Sequence, residues 1–183
     1  MTAARMLPSS TRLSSPSRAP SVLDDVLAPG LSIVFCGSAV GAASARRGAY
    51  YAGPGNQFWP VLFRVGLTDR QLAPQDYRGV TRYGLGLTDI NKRQSGADRQ
   101  LSKDACDAAA LHEKILCYAP RFLAFNGKKA AAGFFGCAGT QLAYGRQEAR
   151  LGPTEIFVLP STSGAARGFW DEGLWRALAR AAA

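Results

Sequence analysis

Three short apolar runs constrain the fold of this chain more than any other feature. Leu31–Cys36, Arg121–Phe125 and Glu155–Leu159 each read as a strand, the first as one buried on both faces. Segments with helical spacing follow them. Phe58, Trp59, Leu62 and Phe63 share one face, with Asn56 as N-cap, Pro60 in the first turn and Gly66 as the stop. Ala108, Leu111, Ile115 and Tyr118 line a helix expected over 103–118, capped by Ser102. Lys128–Phe135 forms another helix, and a last one starts at Phe169 or Trp170, with Leu174, Leu178 and Ala181 spaced for packing. Strands alternating with helices predict an α/β domain with a mainly parallel sheet.

Parallel strands place their carboxyl ends on one edge, where ligands bind. The three runs end at Gly37, Asn126 and Ser161. A long loop rich in small residues follows Gly37, with further glycines at 41, 48, 53 and 55 and the adjacent tyrosines Tyr50 and Tyr51. Glycines allow close backbone approach, and an aromatic beside them can stack on a flat ligand. Asp24–Pro29 reads as a turn or short helical piece, and Thr68–Pro74 as a short helix stopped by its proline. Tyr83–Arg93 reads as a short strand ending near Thr88, then a polar loop from Asp89. The Gly37, Asp89 and Ser161–Arg167 loops are expected to converge on one cleft.

The formal net charge of +9 points to a polyanionic partner, nucleic acid being the commonest. Residues 1–22, with Arg5, Arg12, Arg18 and no acid, are expected to be a disordered basic tail, leaving 23–183 as one domain. Cys36, Cys106, Cys117 and Cys137 show no C-x-x-C spacing, so neither a metal site nor a cofactor is called for, and buried free thiols are expected. The first residues lack a signal-peptide core, and no apolar run spans a bilayer. No membrane partner and a cytoplasmic location follow as expectations. G-S-A-V-G-A-A-S lacks the lysine of a P-loop and the dinucleotide glycine spacing. The single histidine, His112, falls mid-helix and reads as an exposed residue rather than part of a triad.

F-C-G-S-A-V-G, Y-Y-A-G-P-G-N-Q-F-W, G-L-T-D-I-N-K-R and V-L-P-S-T-S-G-A-A-R, in that order, resemble the bacterial mismatch-specific uracil-DNA glycosylases, relatives of the thymine-DNA glycosylases. The similarity runs from about Val22 to the C-terminus. It implies a single three-layer α/β/α domain that acts at the nucleoid, as a monomer. It also implies extrusion of uracil from duplex DNA carrying uracil mismatches, followed by hydrolysis of the base–sugar bond. Tyr51 then aligns with the aromatic that stacks on the base. Backbone N–H groups near Gly37, Ser38 and Ala39 would stabilise charge on the departing uracil.

Two departures from the pattern matter. The family's G-I-N-P-G carries an Asn that positions water; here Ala39 replaces it, and a methyl group cannot hold water. Asp89 is the candidate substitute, since a carboxylate can orient a water and stabilise a cationic sugar. The alternatives are a turn cap for Asn91 or Lys92, or a pair with Arg93. The family's N-P-S-G-L-S-R becomes Ser161–Arg167, so Ala165 stands where a bulky wedge belongs. Arg167 could fill the gap or contact the opposite base, or otherwise make an ordinary phosphate contact. Ser163, Gly164 and Ser44 are candidate phosphate or sugar contacts, each serine otherwise a satisfied turn hydroxyl. Tyr51 could instead be a core aromatic. The leading expectation is a monofunctional G:U glycosylase. A non-catalytic binder of damaged DNA and an unrelated hydrolase using the Ser161 loop are the other two.

Overall fold

The computed structural model describes residues 21–96 and 106–183. Five strands form one sheet: β1 (Ile33–Val40), β2 (Leu85–Ser95), β3 (Phe122–Asn126), β4 (Gly145–Leu151) and β5 (Thr154–Leu159). Their order is β2-β1-β3-β5-β4. All neighbours are parallel except β4, which pairs antiparallel with β5. The helices are α1 (Ala42–Arg47), α2 (Phe58–Arg64), α3 (Ala108–Tyr118), α4 (Lys128–Phe135) and α5 (Glu172–Ala182). Among the described residues, no helix is long and apolar enough to cross a membrane.

Alternation along β1 builds three layers, because successive strand side chains face opposite sides. Ile33 and Phe35 join a cluster with Phe58, Trp59, Leu62, Trp175 and Leu178, from α2 and α5. Val34 and Cys36 join the other face with Leu111, Ile115, Ala130 and Ala131, from α3 and α4. Each fully buried Phe or Leu is worth roughly 1.5–3 kcal/mol, and the aromatic contacts of Phe35 with Phe58 and Trp175 add specific geometry.

Several local expectations are revised. Asp24–Pro29 is neither turn nor helix where it matters. Val26 bridges Leu87 through two backbone hydrogen bonds of 2.9 Å, and Val22 N–H donates to the Lys92 carbonyl. The segment thus lies along the open edge of β2 and delivers Asp25 to it. Pro74 does not stop a helix but begins one, the 3-10 helix Pro74–Tyr83, where its missing N–H costs little. β2 continues past Thr88 to Ser95, so Asp89 sits on a strand rather than in a loop. α3 starts at Ala108, capped by Asp107, whose side chain accepts from Ala110 N–H; Ser102 lies outside the described residues, as does most of the basic tail. α5 starts at Glu172, because Asp171 caps it through Gly173 N–H. Of the four free thiols only Cys36 is buried, and Cys117 is exposed. His112 is exposed on α3.

Candidate active site

β1 is joined to β2 on one side and β3 on the other, so the order of strands reverses at the β1/β3 boundary. Crevices for ligands open at such switch points, beyond the carboxyl ends of the strands. β3 pairs with β1 only as far as Cys36 and Phe125, while β1 runs on to Val40. Gly37, Ser38 and Ala39 therefore lie on a strand whose β3 side has no strand partner. A cleft of about 600 Å³ occupies this position. Gly37, Ser38, Ala39, Ser44, Tyr51, Asp89, Ser163, Gly164 and Ala165 all line it. The side chain of Arg167 lies outside the described residues.

Asp89 forms the floor. It is 3% exposed and stands directly opposite Gly37 in the β1–β2 register. The glycine has a steric reason: a Cβ there would come within 2.6 Å of Asp89 Oδ1 and 3.4 Å of the Tyr51 hydroxyl. Asp89 caps no turn; Asn91 does that, its Oδ1 accepting from Arg93 and Gln94 N–H. Its ion-pair partner is Lys92, at 3.8 Å from Oδ2, rather than Arg93.

A half-buried charge network lies beneath. Lys92 Nζ contacts Asp25 at 2.8 Å and donates to the Tyr50 hydroxyl at 2.8 Å. Lys114 reaches Asp25 at 2.6 Å, and Thr88 Oγ1 donates to Asp25 at 2.7 Å. Burial would raise the Asp25 carboxyl, but Lys92 and Lys114 outweigh it and hold it below its usual value. Asp89 balances differently. Burial pushes its carboxyl up, Lys92 and a hydrogen bond from Tyr50 pull it back, and Asp25 pushes it up again, leaving it at about 6. Its Oδ2 is buried without a hydrogen-bond partner. A carboxylate that ionises near neutrality and has a spare acceptor is suited to take a proton or face a cation.

The two tyrosines diverge because Tyr51 adopts φ 55, a conformation uncommon for non-glycine residues. Tyr50 is core: its carbonyl accepts from Trp59 Nε1 at 3.0 Å, and its ring packs near Tyr77. Tyr51 stacks on Phe58 with ring centroids 3.8 Å apart and lines the cleft. Its buried hydroxyl closes no well-formed hydrogen bond.

The far wall is pinned at one residue. Thr162 N–H donates to Asn126 Oδ1 at 2.9 Å, Asn126 Nδ2 donates to Thr162 Oγ1 at 2.8 Å, and Gln57 N–H donates to the Thr162 carbonyl at 2.9 Å. Gly164 fits against the Pro54 carbonyl, which a Cβ would approach to 3.3 Å. Beyond it Ser163 and Ala165 are exposed. Ser44 is buried, its Oγ accepting from Ala52 N–H at 2.9 Å, which ties α1 to the tyrosine loop. Asn126 lines the cleft and was not singled out from the sequence for a role. The signal was present: Asn-Gly ends a strand at the edge where ligands bind.

The profile of the Uracil DNA glycosylase superfamily matches residues 25–179. This chain belongs to that superfamily. A solution NMR structure from Methanosarcina acetivorans, described as a candidate uracil DNA glycosylase, shares 27% identity with it. The match covers 87% of this chain and 96% of that one, with a TM-score of 0.58. Membership in the superfamily supports a uracil glycosylase role, a hydrolase acting on DNA, and the α/β fold agrees with it.

Proposed function

We propose that this protein extrudes uracil from G:U mismatched duplex DNA and hydrolyses its glycosidic bond, with Asp89 supplying the carboxylate. The observation that carries the reading is the floor of the cleft: a buried carboxylate whose Oδ1 lies directly under Gly37 and whose Oδ2, 3.8 Å from Lys92, accepts no hydrogen bond. The extruded base stacks on Tyr51, and the Asn126 amide, held by Thr162, faces its polar edge. Backbone N–H groups of Gly37, Ser38 and Ala39, beyond the last β3 pair, receive the charge of the departing base.

The ionised Asp89 stabilises positive charge on the sugar as the C1′–N1 bond opens. It then takes a proton from the water that adds to C1′, and uracil leaves with the bonding electrons. Ala39 removes the usual holder of that water, so this task falls to Asp89. Water is the nucleophile in this reading, so the reaction stops at base release. Ser163 and Gly164 at the rim, with Ser44 behind the loop, contact the backbone of the extruded nucleotide. The protein acts as a monomer.

A second reading, a non-catalytic binder of damaged DNA, is favoured by Ala39 and Ala165, which both replace functional side chains. One experiment separates the two. Purified protein is incubated with a G:U duplex, and base release is compared with that of Asp89→Asn. Release that survives the substitution unchanged removes Asp89 from the mechanism. Tight, salt-sensitive binding without release selects the binder.

A further inference from the structure

The cleft lacks a wedge where its far wall should carry one: Ala165 is exposed and ends at a methyl group. Four residues on, the same turn carries Phe169, which is 72% exposed. The other exposed large apolar side chains among the described residues, Phe63 and Leu116, lie on α2 and α3 and do not line the cleft. Phe169 does. The protein thus places one bare aromatic ring at the mouth of the pocket that receives a base.

The turn is built to hold that ring outward. Its upstream end is fixed by Thr162, which bonds both Asn126 and Gln57. Its downstream end is fixed by Trp170, whose ring stacks on buried Trp175 at 6.2 Å; Trp175 in turn donates to the Pro160 carbonyl. Between these anchors the 3-10 turn Gly164–Phe169 kinks at Ala166 (φ −103, ψ 15). Lys128 and Lys129 line the same cleft and offer charge for phosphates.

We propose that Phe169 is the wedge: on DNA binding its ring enters the base stack at the position vacated by the extruded nucleotide, replacing the side chain that Ala165 lacks. Apolar side chains inserted between base steps hold DNA unstacked in this way, and the ring would become covered only in the complex. The proposal rests on the reading that this protein extrudes a nucleotide.

The test compares the wild-type protein with Phe169→Ala and Phe169→Leu. A G:U duplex carries 2-aminopurine beside the uracil, and its fluorescence on saturating binding is read together with the rate of uracil release. Wild type should raise the fluorescence several-fold. Phe169→Ala should retain less than about a third of that rise, and Phe169→Leu most of it. Uracil release by Phe169→Ala should fall on the order of 30-fold on duplex and less than about threefold on single strands, where no stack must be held open. The unfolding temperature should not change, because the ring is exposed. A fluorescence rise that is absent in wild type, or equal in all three proteins, overturns the proposal. So does an equal loss of rate on both substrates. If wild type raises the fluorescence but releases no uracil, the glycosylase reading fails while the wedge stands or falls on the alanine variant's signal.

Discussion

The two walls of the cleft are made of the same chain but obey opposite rules. The β1–β2 wall hides its polar groups: Asp89, Lys92 and Asp25 have side chains 2%, 14% and 20% exposed and are joined into one network. The far wall, beyond Thr162, displays its groups: Ser163, Ala165 and Phe169 are all exposed. The difference follows from what each wall must meet. A carboxylate that acts on a sugar carbon gains strength from low dielectric and fixed geometry. A rim that meets a long polyanion must stay open to it. If this division is right, damage to the buried wall should change chemistry and pH dependence. Damage to the rim should change DNA contact alone.

The largest break is at Asp89. Replacing it with alanine should reduce uracil release on the order of 10²–10⁴-fold, the usual worth of a positioned acid–base group, in single-turnover assays. Asp89→Asn should also lose rate and, in addition, gain stability. The carboxyl sits at about 6 in the folded protein against an ordinary 3.8. The folded state therefore binds the proton more tightly than the unfolded state, and stability is lost as pH rises from 3.8 through about 6. Above that window the ionised group costs the fold on the order of 3 kcal/mol. The asparagine variant should melt higher than wild type at pH 8, with the advantage vanishing near pH 4. Equal melting at both pH values would mean that the carboxylate is solvated.

Next comes Gly37→Ala. Its methyl would stand 2.6 Å from Asp89 Oδ1, and this carboxyl, buried opposite Gly37, has little room to retreat. A misplacement of about 1 Å can cost on the order of 10²-fold in rate, so the loss should approach that figure. Binding to uracil-containing duplex, measured by gel shift, should remain within a few-fold of wild type.

That glycine marks where the sequence was legible and where it was not. Its position at the end of an apolar run located the site edge and the three parallel strands, because burial on both faces leaves a plain apolar record. The register Gly37 to Asp89 was not legible, since it depends on how β2 pairs and on its continuation to Ser95. The polar run after Thr88 resembled a loop because its outer residues are covered only in part, and by a segment lying 63 positions earlier where Asp25 meets Thr88. β4, G-R-Q-E-A-R-L, escaped for a related reason: an edge strand with charged faces shows no alternation, and only its hairpin with β5 makes it a strand. Asp25 had no sequence signature at all, because its role arises from two lysines brought to it by β2 and α3.

A smaller and more diagnostic change is Lys92→Met. Tyr50, Tyr51, Cys36, Asp25, Lys92 and Lys114 are the titratable groups around Asp89. Lys92 exerts the strongest downward pull among them. Without it the carboxyl should rise above about 6, and the acid limb of the rate profile should move to higher pH. Since the ionised form is the active one, a rise of about one pH unit costs roughly tenfold on the acid side and little at pH 8.5. Lys92→Arg, which keeps the charge, should leave the limb near its wild-type position. A limb that does not move in the methionine variant would detach Lys92 from the carboxylate.

The smallest effect belongs to the rim. Ser163 is exposed, and its Oγ accepts only a long hydrogen bond of 3.4 Å from Ala165 N–H, so little of the fold depends on it. Its substitution by alanine should leave the melting temperature unchanged and the acid limb in place. What it should lose is one hydrogen bond to a phosphate or sugar oxygen. Such a bond is worth about 0.5–1.5 kcal/mol, or roughly a two- to tenfold weaker affinity for duplex. Because the hydroxyl is neutral, the slope of affinity against salt should not change, whereas loss of a lysine contact would lower it. A Ser163→Ala protein with a displaced pH profile would mean that the rim communicates with Asp89, and the two walls could no longer be treated as separate devices.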